Sequence, residues 1–143
     1  MFDLILWTHC RLTLTGPQTD LARWRAAFER SPVNLDFAMV FPGRCPDETM
    51  RGIRRWREKN FGFDGTLYLK FPRKGEPVQY LFLTRPGPPL PWLRRVATAW
   101  PTLTFDLIHT VGGIHEQLVI RATPEADAPP EVAGRIRPVE LAA

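Results

Sequence analysis

Residues 105–120 read FDLIHTVGGIHEQLVI, and this stretch decides the fold. Gly112-Gly113 supplies the two positive-φ positions that a two-residue hairpin turn demands. Folding the chain there sets Val111 opposite Ile114, Leu107 opposite Leu118 and Phe105 opposite Ile120. A slip of one residue would mix apolar and polar side chains on both faces, so the register is well specified. In that register His109 lies opposite Glu116, and Thr110 lies opposite His115. The chain is thereby committed to an antiparallel sheet with one buried face.

Working upstream, Pro86–Pro91 leads into a helix whose inner side is Leu90, Leu93, Val96, Ala97 and Trp100, with Arg94 and Arg95 outward and Pro101 as its stop. Before it, Thr66–Phe71 and Val78–Leu83 flank the turn Pro72–Pro77. Pairing Phe71 with Val78 predicts Leu69 opposite Tyr80 and Leu67 opposite Phe82, an apolar face throughout. Arg11–Thr15 alternates polar and apolar residues until Gly16-Pro17 breaks it, a half-buried strand. Thr19 or Asp20 is the expected cap of a helix reaching about Arg30, with Leu21, Trp24 and Phe28 as its apolar stripe; Ser31-Pro32 ends it. Asn34–Phe41 alternates Leu35, Phe37, Met39 and Phe41, which predicts a short strand. Asp47 or Glu48 is expected to open a further helix to about Lys59, its apolar side Met50, Ile53 and Trp56.

Setting aside the inserted strand and helix (about residues 33–60), the order is β-α-β-β-α-β with an extra C-terminal hairpin strand. That is the α+β class, a ferredoxin-like sandwich with two helices on one face of the sheet. Length and composition agree with one such domain over residues 1–122: 143 residues with 44% hydrophobic content is enough to bury a core. Residues 123–143 read as a Pro/Ala/Glu-rich tail with no part in that core.

The composition excludes a collagen, a coiled coil, a disulfide scaffold and a largely disordered chain. No apolar run approaches the ~20 residues of a membrane span, and Met1–Trp7 lacks the features of a signal peptide. With only Cys10 and Cys45, a reducing cytoplasm is the expected compartment. Arginine dominates the cations, 16 of the 19 Lys+Arg. Glu125, Asp127, Glu131 and Glu140 against Arg135 and Arg137 leave residues 122–143 at −2, so the body carries +6 of the net +4.

Catalytic motifs are sparse. Ser31 is the only serine and lacks a nucleophile-elbow context, and no phosphate-cradling glycine motif is present. His9, Cys10 and Cys45 lack the paired short spacings of a zinc site, so no metal and no cofactor is expected. His109 facing Glu116 is the one pair that would make an oriented general base, the basis of an alternative reading as a small enzyme. The stronger signal is basic. Arg51, Arg54 and Arg55 at i, i+3, i+4 share one face of the inserted helix, followed by Arg57, and Arg94 and Arg95 lie on the later helix. Such a surface suits an acidic protein or, alternatively, the phosphates of a nucleic acid. Lys59-Asn60-Phe61-Gly62-Phe63 echoes an RNA-binding octapeptide but loses the pattern afterwards, so Phe61 and Phe63 are read as core plugs beneath the inserted helix.

The segment Arg11-Leu12-Thr13-Leu14-Thr15-Gly16 resembles the N-terminal N-x-L-x-I-x-G strand of the YubB ferredoxin-like domain family. Pro88-Pro89-Leu90-Pro91 with Trp100-Pro101-Thr102-Leu103-Thr104-Phe105 is similar to that family's P-P-x-P and FP-x-L-x-F elements, and Asn34–Pro42 sits where it carries an extended segment. The resemblance covers about residues 10–121. It implies a small plasmid- or phage-encoded protein, generally without an assigned activity; with the sparse catalytic motifs, the expected function is that of a non-catalytic accessory protein binding a macromolecular partner such as a host defence or replication component. It carries over no catalytic residue.

Overall fold

The computed structural model describes residues 7–30, 34–70, 72, 73, 75, 77–122 and 135–138. Its elements run β1 (Thr8–Thr15), α1 (Gln18–Phe28), α2 (Met50–Asn60), β2 (Phe63–Lys70), β3 (Val78–Pro86), α3 (Leu90–Ala99), β4 (Thr104–Val111), β5 (Ile114–Ile120) and β6 (Arg135–Pro138). Every strand pairing is antiparallel, in the sheet order β2-β3-β1-β4-β5-β6. β1 and β2 therefore run parallel with β3 between them, and β3 and β4 run parallel with β1 between them. Each of those two connections crosses one strand and carries a helix, which makes the protein α+β.

Alternation decides which face is covered. Cys10, Leu12 and Leu14 of β1 are buried with Val78, Tyr80 and Phe82 of β3, Phe105 and Leu107 of β4, and Leu118 and Ile120 of β5. Trp24 and Phe28 of α1 and Trp92, Leu93, Val96 and Ala97 of α3 close over them. Trp24 meets Phe28, Trp92, Trp100 and Phe105 at ring distances of 5.0–6.1 Å, mostly edge to face, the geometry aromatic quadrupoles favour. Buried Tyr80 donates to Glu29 Oε2 at 2.6 Å, and Arg25 clasps the same carboxylate through two bonds, so the end of α1 is tied to β3.

The second hairpin has the expected register throughout, from Phe105↔Ile120 to Val111↔Ile114. The first does not. Leu67 pairs with Leu83, Tyr68 with Phe82 and Lys70 with Leu81, with irregularities between Phe63 and Gly65 and between Tyr68 and Lys70. Phe63 is anchored in the core against Phe37 and Phe61. The extra residue at Asp64 then inverts the alternation, so Leu67 faces outward beside Leu83 and is 53% exposed. The expected Phe71–Val78 pair lies outside the described residues on its Phe71 side, as does Ser31.

Asn34–Phe41 is not a strand. Its backbone turns over residues 37–40, with Asp36 Oδ1 accepting from the Met39 amide at 3.2 Å. The alternation reflects burial without a ladder: Leu35, Phe37 and Phe41 are in the core, while Met39 is 49% exposed. The carbonyls find partners in α3 and its C-cap instead. Trp92 Nε1 donates to Phe37 O at 2.9 Å, and Trp100 Nε1 donates to Val40 O at 3.1 Å. Two caps also differ from expectation. α1 starts after Pro17 without a side-chain cap, and α2 is capped by Thr49 rather than Asp47 or Glu48. Met50 is 80% exposed, so the inner side of α2 is only Ile53 and Trp56. Within the segment read as a tail, β6 pairs with β5 and extends the sheet; residues 123–134 and 139–143 lie outside the described set. Among the described residues, no helix is long and apolar enough to cross a membrane.

Candidate binding surface

α2 is a short helix with Arg51 at its positive end and no acidic residue in its first turn, so it needs a strong N-terminus. Thr49 Oγ1 accepts from the Gly52 amide at 3.0 Å. Asp47 Oδ1 accepts in turn from the Thr49 amide and hydroxyl, both at 2.8 Å. These bonds to the ionised form hold the Asp47 carboxyl below the ordinary carboxylate range. A Cβ on Gly52 would collide with the Asp47 carboxyl, so a larger residue there would push that carboxyl off Thr49. At the other end Gly62, at φ 85°, turns the chain into β2. A Cβ on Gly62 would sit 2.6 Å from Pro91 Cδ and 2.8 Å from Pro88 O.

No residue of α2 is fully buried. Trp56 is its peg, edge on to Phe41 and Phe61. That leaves Arg51, Arg54, Arg55 and Arg57 exposed. Arg54 is joined to Asp64 of β2 at 3.1 Å, while Arg51, Arg55 and Arg57 take part in none of the ion pairs among the described residues. On α3, Arg95 is exposed and lies 5.1 Å over the Phe41 ring; Arg94 is half-buried. Phe41 thus touches Arg95 on one side and Trp56 on the other, which brings the two basic helices to one loop.

The sequence did not point to what lies at that loop. A cleft of about 400 Å³ opens between residues 38–47 and α2, lined by Ala38, Met39, Cys45, Ile53, Trp56 and Phe61, with Arg44, Asp47 and Arg57 as its charged residues. Arg30 reaches the Met39 sulfur at 3.2 Å. The available signal was the run of apolar residues at 37–41 next to Pro42-Gly43-Arg44-Cys45, whose two-residue alternation points to a strand rather than to a loop that borders a cleft.

The other sites resolve differently. His109 and Glu116 are register partners, but His109 is 6% exposed and its Nε2 has no hydrogen-bond partner among the described residues. Burial lowers its pKa against a smaller opposite pull from Glu116. Cys10 is buried beside Thr84 Oγ1, and burial pushes its thiol up to about 12. Cys45 is half-buried and donates to Asp47 O at 3.4 Å. Phe61 and Phe63 are 3% and 2% exposed, the core plugs their spacing suggested. No group of three His, Cys, Asp or Glu side chains among the described residues is placed to hold a metal ion.

The uncovered face of the sheet carries His9, Arg11, Leu81, Ile108 and Thr110 around a hollow of about 250 Å³. At its end Arg85 stacks over Trp7 at 4.5 Å. Compared with known proteins, the chain matches no family model, no curated protein and no solved structure.

Proposed function

We propose that this chain is a non-catalytic binding protein of ferredoxin-like fold that engages an acidic macromolecular partner, a protein, through the basic surface of α2 and the adjoining end of α3. The sheet order, with each parallel pair separated by one antiparallel strand, supports the ferredoxin-like reading. The resemblance of residues 10–121 to YubB-like proteins supports a mobile-element accessory role directed at a host defence or replication component. The observation that carries the binding role is α2 itself, a capped helix that buries no residue fully and holds Arg51, Arg55 and Arg57 exposed with no ion-pair partner among the described residues. A helix built for stability alone would have no use for Arg51 in its first turn, where the macrodipole opposes a cation.

The test compares the full chain with an Arg51→Glu/Arg55→Glu variant, which spares the Arg54–Asp64 pair. Proteins captured from host lysate are identified, and the purified partner is titrated at two salt concentrations. The expected outcome is one acidic protein lost on charge reversal. Binding of nucleic acid with the same sensitivity, and affinity falling log-linearly with salt, would assign the arginines to phosphates instead. Undiminished capture by the variant would refute the assignment of this surface.

A further inference from the structure

The cleft beside α2 has a more specific chemistry than a basic surface. Its floor is apolar, formed by Ile53, Trp56 and Phe61, and Met39 flanks it while remaining half-exposed. Around it stand four arginines: Arg44 and Arg57 on the walls, Arg30 against the Met39 sulfur, and Arg95 over the Phe41 ring. Two carboxylates stand against these four cations, Asp47 in the lining itself, bonded by Thr49, and Asp36 beside it, bonded by the Met39 amide, and they leave an excess of positive charge. The local charge is therefore positive around an apolar opening. At about 400 Å³ the cleft is within the ~300–1,000 Å³ range of defined ligand sites.

We infer that this cleft receives one bulky apolar side chain of an acidic peptide segment in the partner protein, with flanking carboxylates held by Arg44 and Arg57. This rests on the proposed protein-binding role and names the element it recognises. The apolar floor rewards desolvation of an aromatic or long aliphatic side chain. Guanidinium groups at the edge reward a carboxylate through paired, charge-assisted hydrogen bonds. A purely anionic ligand leaves the floor wet, and a purely apolar one leaves the arginines unmatched.

Fluorescence anisotropy with the full chain and labelled, capped nine-residue peptides tests this. The peptides carry a central phenylalanine or alanine, flanked by aspartate and glutamate or by serine. The acidic phenylalanine peptide is expected to bind about tenfold or more tightly than its alanine counterpart, and the serine-flanked form to be similarly weakened. Arg44→Ala/Arg57→Ala is expected to remove the preference for acidic flanks. Ala38→Trp, placed at an exposed position on the cleft wall, is expected to abolish binding, while Arg73→Ala, at an exposed position between β2 and β3 and outside the cleft, leaves it in place.

Cys45 lines the same cleft, so its rate of reaction with a maleimide supplies a second readout on the unmodified protein. Saturating acidic phenylalanine peptide is expected to slow that reaction severalfold. Equal affinity for the phenylalanine and alanine peptides, absence of binding by all of them, or unchanged Cys45 labelling would overturn the inference. A captured partner that is lost on Arg51→Glu/Arg55→Glu yet indifferent to Ala38→Trp would overturn the cleft while leaving the basic surface standing.

Discussion

His109 sits at the same level of the sheet as Cys10 on one neighbouring strand and Glu116 on the other. Burial favours its neutral form, so its folded pKa lies below the ordinary 6.5. The unfolded chain then binds a proton more readily, and stability falls as pH drops below about 6.5. Urea unfolding at pH 7 and pH 5 is expected to show a smaller loss in His109→Gln than in the parent chain. Cys10 acts at the other extreme. Its thiol is raised from 9.0 to about 12, so above pH 9 the unfolded thiol ionises first and stability falls again. The same burial makes Cys10 inert under native conditions, whereas half-buried Cys45 is accessible. A native-state thiol assay is expected to titrate one cysteine quickly and the second only after denaturant is added.

Single elements show where sequence and structure part. The hairpin at Gly112-Gly113 was legible because a two-residue turn leaves one register, and every residue of that register is observed. Phe37 was legible as buried but not as part of a loop. Its carbonyl is satisfied by Trp92 and that of Val40 by Trp100, side chains that lie far along the sequence and leave no mark on the local pattern. Trp92→Phe keeps the ring and strands the Phe37 carbonyl, at an expected cost of about 1–3 kcal/mol by urea unfolding. The β2 register was hidden for a similar reason, since the extra residue at Asp64 serves an ion pair with a helix rather than the strand's own alternation. At α2, Thr49→Ala removes the Gly52 cap and is expected to cost about 1 kcal/mol, measured in the same assay.

Across the whole molecule, one face of a six-stranded sheet is sealed by aromatic packing, and the basic helix lies outside that seal. The arginine positions on α2 followed from i, i+3, i+4 spacing alone. The cleft did not, because it forms between a loop whose alternation mimics a strand and a helix whose inner side is two residues wide.

That arrangement also divides the molecule into parts that open at different cost. β1, β3 and β4 are held by the full core, so their amides exchange only with global unfolding. α2 is held by its cap, the Trp56 peg and the Arg54–Asp64 pair and buries no residue fully, so it is expected to open at lower cost than the sheet. Trypsin acting on the native protein is therefore expected to cut first among Arg51, Arg54, Arg55, Arg57 and Lys59, leaving the β-sheet fragments associated. Cleavage follows the population of the open form, so Thr49→Ala is expected to hasten it severalfold. A partner seated on α2 withdraws the helix from that equilibrium, and protection of these bonds reports occupancy without any label.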